Sequence, residues 1–167
     1  MLAAKTLLFL AITGASTAAL GAEAEDTPPA PSVFVTTAAQ DGMTEVELGK
    51  VALQKSQNAQ VREFAQRMVT DHSKANQELA ALAKSKGIEA PKKLDAEHNA
   101  MVKALDSQES ASFDAEYSRH MNLDHTKAIS LFEAASKSSD ADLAGFAKKT
   151  LPTLKEHKEM AARLPGQ

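Results

Sequence analysis

Cysteine and tryptophan are both absent from the 167 residues. No disulfide, thiolate ligand, cysteine nucleophile or lipidated cysteine is therefore available, and stability has to come from packing. Aromatics are few, with six Phe and one Tyr, and glycine and proline are sparse at seven and six. Against these stand 32 Ala, which form helix at least cost and let helices approach closely, so an all-β fold is disfavoured. Neither sign of charge dominates: 19 Lys and Arg face 22 Asp and Glu, for a net charge of -3. That leaves no basic field to hold nucleic acid. There is no Gly-rich phosphate loop and no Gly-x-Ser-x-Gly elbow. With 25% charged and 43% hydrophobic residues, the composition fits one globular domain.

One uncharged apolar run occurs, at residues 6–20, after Lys5 and before the small residues of Ala22-Glu-Ala24. This is the pattern of an export signal. Its 15 residues fall short of the ~20 that cross a hydrocarbon core. We therefore expect residues 1–24 to be a signal peptide, 25–31 a Pro-rich acidic spacer, 32–164 a helical bundle domain and 165–167 a tail. The expected location is the periplasm or the outer membrane's surface, with no spanning segment once the signal is removed.

From Ser32 onward apolar residues recur at spacings of three and four. Caps and breakers then divide the chain into five helices. The first is expected over residues 33–55 after a Ser32 N-cap, and the second from Asn58 to Gly87. The third opens at Pro91 and reaches Asp106. The fourth runs from Ser110 to about Lys137, and the fifth from an Asp140 cap to about Leu164. The links near residues 56–58 and 138–140 are short, which forces helices one and two, and four and five, into antiparallel hairpins. The third helix joins the hairpins, so the expectation is an all-α four-helix bundle with a short crossover helix.

Two local repeats stand out. Asp71-His-Ser-Lys-Ala75 recurs as Asp124-His-Thr-Lys-Ala128, with Met68 and Met121 each four residues before the histidine. Asn58-Ala-Gln-Val-Arg-Glu-Phe-Ala65 echoes Asp140-Ala-Asp-Leu-Ala-Gly-Phe-Ala147, and Glu156-His157 follows with Met160 close behind. His72 falls on the stripe of Val61, Phe64, Ala65, Met68, Ala75, Leu79 and Leu82. His125 falls on that of Phe113, Tyr117, Met121, Ala128, Phe132 and Ala135. His157 falls on that of Leu143, Phe146, Thr150, Leu154, Ala161 and Leu164. At 1.5 Å per residue all three lie near mid-bundle.

The acids just before them are rotated by ~100°, so Asp71 and Asp124 are expected to be solvated, paired with Lys74 and Lys127 at the three-residue spacing. His98 and His120 read as exposed. Glu45 lies at the edge of the first helix's stripe of Ala38, Gly42, Gly49 and Leu53, and reads as a capped or solvated carboxylate within reach of a core histidine. Gly42 and Gly49 read as close-packing points.

Three stretches resemble a known bacterial family, domain of unknown function 4142, described as predicted exported or outer-membrane proteins. They are Phe34-Val-Thr-Thr-Ala-Ala-Gln-Asp-Gly-Met-Thr-Glu-Val-Glu-Leu-Gly49, Phe64-Ala-Gln-Arg-Met-Val-Thr-Asp-His72 and Thr150-Leu-Pro-Thr-Leu-Lys-Glu-His157. The resemblance implies a ferritin-like helical bundle and adds no mechanism. It invites a search for Glu-x-x-His di-iron motifs. Val69, Asn122 and Leu154 occupy the positions three before the core histidines, and the nearest approach, Asp95-x-x-His98, sits on the crossover helix.

A buried imidazole ordinarily satisfies both nitrogens with backbone, hydroxyl or carboxylate partners, and in that reading the three histidines fix helix register. Pro152 frees the carbonyl of Lys148 and adds a group to be paired. The other reading is a metal site, because imidazole and thioether are ligands for copper and imidazole suits zinc; His72, His125, His157, Met68 and Met121 are its candidates. Methionine at core spacing is also a common gap filler. Two function classes follow. One is an exported, non-enzymatic bundle acting through binding or stress protection; the other is a transition-metal-binding or redox-active bundle.

Overall fold

The computed structural model describes residues 27–166; the expected signal peptide lies outside the described residues. Five helices follow in order: α1 (Pro31–Lys55), α2 (Ala59–Ser85), α3 (Ala96–Asp106), α4 (Ser110–Ala135) and α5 (Ala141–Ala161). No strand occurs among the described residues.

Each boundary has a local cause. Pro31 opens α1 at a first-turn position, where its missing N–H is no loss. Ser32 is therefore inside the helix, and Ala30, with no side-chain bond to give, stands at the cap where Ser32 was expected. Asn58 caps α2 by accepting from the backbone N–H groups of Gln60 and Val61. Gly87, at φ 67, ends it in the left-handed conformation, and the N–H of Ile88 reaches back to the carbonyl of Ala83.

The crossover helix starts later than expected. Pro91 does not open it; Asp95 does, through its carboxylate on the N–H of His98. An Asx cap satisfies orphan donors that a proline leaves bare, which is why the start moves to Asp95. Asp140 caps α5 by accepting from Asp142 and Leu143, and α5 ends at Ala161, a turn before the expected limit.

α1 packs most extensively on α2, and α4 on α5, so the two short links make the two hairpins. α3 lies mainly against α1. Two hairpins joined by one long connection make an all-α four-helix bundle.

The core divides into two apolar clusters. One is built on Phe34, Val35, Leu79, Phe132, Phe146 and Leu154, with Phe34 edge-on to Phe132 at 5.1 Å between ring centroids. The other holds Leu48, Val61, Phe64, Met68, Tyr117 and Met121. Phe64 is fully buried, and burying a side chain of that size contributes about 2 to 3 kcal/mol. The expected stripes are the inward faces, except that Ala75, Leu82 and Thr150 are only partly buried. On α1, Ala52 rather than Leu53 completes the buried stripe. A Cβ on Gly49 would stand 3.0 Å from the carbonyl oxygen of Ala65 and 3.3 Å from the Cβ of Met68, so its hydrogen lets α1 and α2 close on each other.

Candidate metal centre

Between the two apolar clusters lies a polar layer. His72 from α2, His125 from α4 and His157 from α5 are all buried, and their ring centroids are 5.3 to 5.6 Å apart. One ring nitrogen of each lies within 4.8 Å of the other two. The matching depth read from the sequence thus becomes a single cluster, because the hairpins place the middle turns of three helices side by side.

Each imidazole is held from outside. Nδ1 of His72 faces Oε2 of Glu45 at 2.9 Å, Nδ1 of His125 donates to the carbonyl of Met121 at 2.8 Å, and Nε2 of His157 faces Oδ2 of Asp71 at 2.9 Å. The opposite nitrogens, Nε2 of His72, Nε2 of His125 and Nδ1 of His157, are buried without a hydrogen-bond partner. The expectation that both nitrogens of each ring are satisfied is therefore corrected: one is, and one is not. An unpaired buried polar atom costs about 1 to 3 kcal/mol, so three in one layer call for an explanation.

Glu45 and Asp71 are also corrected. Glu45 is not a solvated edge residue; it is buried, with its second oxygen, Oε1, 3.6 Å from Nδ1 of His125 and without a hydrogen bond. Its position was legible, since Ala38, Gly42, Glu45, Gly49 and Ala52 recur at four, three, four and three and so form one helical face. Asp71 is not a free surface acid paired with Lys74; it turns toward α5 and accepts a hydrogen bond from Nε2 of His157. Nothing local announced this, because the partner is 86 residues away. Asp124 pairs with His120 at 2.9 Å, and both His120 and His98 are partly buried rather than exposed.

The electrostatics follow the pairing. Burial pushes Glu45 up, but the charges of His72 and then His125 outweigh it and hold its carboxyl at about 2. Burial presses His72 down, yet Glu45 outweighs it and leaves the imidazole above its ordinary value. His125 and His157 are depressed, first by burial and then, for His157, by the charge of His72; His157 falls to about 4. Within the layer the proton is thus held most readily by His72 and least readily by His125 and His157.

Met68 and Met121 lie one helical turn before His72 and His125, fully buried in the adjoining apolar cluster. Met121 takes part through its backbone carbonyl. The Sδ of Met160 instead meets a guanidinium nitrogen of Arg67. The ring of Phe64 closes the layer on the side of that cluster, with centroids 6.3 Å from His125 and 6.4 Å from His157.

Fold and site together define a four-helix bundle with a buried three-histidine centre held by an outer ring of carboxylate and carbonyl acceptors. The chain belongs to the family described as domain of unknown function DUF4142, whose model matches residues 15–164. A crystal structure of a DUF305 fragment from Deinococcus radiodurans is similar in fold, with a TM-score of 0.70 at 17% identity, covering 81% of this chain and 95% of that one. No curated protein matches the sequence. No helix among the described residues is long and apolar enough to cross a membrane.

Proposed function

We propose that this protein is an exported transition-metal-binding bundle in which His72, His125 and His157 are the ligands for zinc or copper. The observation that carries the reading is the division of labour on each ring, where one nitrogen is tied to an outer acceptor and the other is buried and unpaired, in a layer where one nitrogen of each ring lies within 4.8 Å of the other two. Metal-binding imidazoles are held in this way, because an acceptor on the far nitrogen fixes both tautomer and orientation.

The dimensions support it. Three atoms no more than 4.8 Å apart leave a point within about 2.8 Å of all of them. Metal–imidazole distances are about 2.0 to 2.1 Å, so side-chain shifts of under an ångström complete the site. Neutral imidazoles without thiolate suit Zn(II) and Cu(II), and the thioethers of Met68 and Met121 one turn away would favour Cu(I) if they swung in. The burial of all three ligands supports storage, buffering or protection against metal stress over catalysis, since a catalytic metal keeps a position open to substrate.

The test is titration of the purified mature protein with Zn(II), Cu(II) and Cu(I), read by calorimetry and elemental analysis. One equivalent should bind tightly, and His157→Ala should lower the affinity at least a hundredfold while the helical content stays. No binding, or binding unchanged in His157→Ala, would sink the reading.

A further inference from the structure

Beside the histidine layer a cavity of about 200 Å³ is lined by Asp41, Glu45, Glu97, His98, Asp124 and Lys127. A second, much smaller cavity of about 20 Å³ is walled mainly by apolar side chains, Leu79, Phe132 and Phe146 among them, and its polar lining includes His72 and again Asp41 and Glu45. The two cavities thus share two carboxylates one turn apart on α1. On the outer side is a mixed but mainly acidic chamber; on the inner side is a ligand of the proposed centre.

Two observations make this more than a cluster of acids. Glu45 is buried with Oε1 free of any hydrogen bond, while its other oxygen holds His72. Asp41 sits where its charge is costly: burial, then the charge of Glu45, push its carboxyl up to about 6 despite the nearby imidazole of His98 at 3.4 Å. Asp124 adds to the same strain from across the cavity. Three carboxylates lining one cavity favour a cation there, because a divalent ion offsets their negative charge.

Resting on the metal-binding reading above, we infer that the Asp41, Glu45 and Asp124 cavity is the entry route by which a divalent cation reaches the histidine layer. The outer cavity collects the hydrated ion in its negative field. Asp41 and Glu45 then offer carboxylate oxygens in succession as water is shed, and the ion leaves the last of them for imidazole nitrogen, the preferred donor for zinc and copper. Lys127 and the imidazole of His98 on the same cavity set a limit on how long the ion is held there.

The inference is tested by the rate of Zn(II) uptake, followed in stopped flow with a fluorescent zinc indicator at low ionic strength. Asp41→Asn and Asp124→Asn should each slow loading of the full mature protein at least threefold, and together at least tenfold. Equilibrium affinity should stay within twofold, and added salt should narrow the differences. Glu63→Gln, on an exposed face of α2, should load at the wild-type rate. Unchanged rates in both cavity variants would overturn the route, as would an equal slowing by Glu63→Gln. A loss of affinity as large as the loss of rate would also overturn it, by making the carboxylates part of the resting site. Failure of the wild-type protein to take up zinc is a separate result, visible before any variant is made, and it removes the metal-binding reading itself.

Discussion

Oε2 of Glu45 and Nδ1 of His72 stand 2.9 Å apart with less than a tenth of either side chain exposed, which ties α1 to α2 through a buried pair between the two apolar clusters. Removing the carboxylate charge leaves burial as the dominant influence on the imidazole. Glu45→Gln is therefore expected to move His72 from above its ordinary value to below it. A two-dimensional NMR titration of the histidine side chains reads the change directly, and a His72 still titrating above 6.5 in the variant would show that Glu45 is not its controlling partner.

Asp71 acts on the site through His157 and touches none of the unpaired nitrogens. Asp71→Asn should therefore weaken metal binding about 10- to 100-fold, as expected for loss of an outer partner of a ligand, and less than His157→Ala does. Calorimetry on the two variants checks the order; an Asp71→Asn protein with wild-type affinity would mean that the 2.9 Å contact does not orient the ring.

Acid should destabilise the metal-free protein in two stages. His125 and His157 are depressed in the folded state, so the unfolded chain binds more protons, and stability falls as pH drops from about 6.5 toward about 4. His72, raised when folded, contributes fully throughout that window and loses its contribution only at higher pH. Asp41, raised to about 6, opposes the loss by binding its proton early in the folded protein. Glu45, lowered to about 2, adds a further loss as pH falls below its ordinary 4.5. Thermal melts should thus decline between pH 6.5 and 4, and more steeply in Asp41→Asn; a flat profile there in both proteins would contradict the neutral state of His125 and His157.

Phe64→Ala should cost about 3 to 5 kcal/mol, since the ring is fully buried and abuts Tyr117 as well as two of the histidines. Urea denaturation measures it. A midpoint equal to that of the wild type would place the α2 stripe on the wrong face.

Gly49→Ala sets two effects against each other. Alanine gains about 1 kcal/mol of helix propensity, but its Cβ meets the Ala65 carbonyl oxygen and the Met68 Cβ, neither of which can turn away. Net destabilisation is expected, seen as a lower melting temperature; a higher one would mean that α1 and α2 can separate by a few tenths of an ångström without cost.

The sequence by itself determined the helices, their pairing and the inward faces. Heptad-like spacing of apolar residues is a local property, and links as short as 56–58 leave only one way to fold back. It also determined that His72, His125 and His157 share one depth, since counting residues at a fixed rise measures length along a helix. Rotation and neighbours are another matter. Which neighbour Glu45 meets from its buried face, and whether Asp71 meets Lys74 on its own helix or His157 on α5, depends on which flank each helix turns toward the next, and that is set by the joint packing of all four. The start of α3 at Asp95 rather than Pro91 was a contest between two local signals that periodicity alone does not rank. The tertiary structure alone decided that each imidazole has one partnered and one free nitrogen, because a hydrogen bond requires two groups from distant parts of the chain to meet at under 3 Å, and no pattern along a single helix specifies that distance.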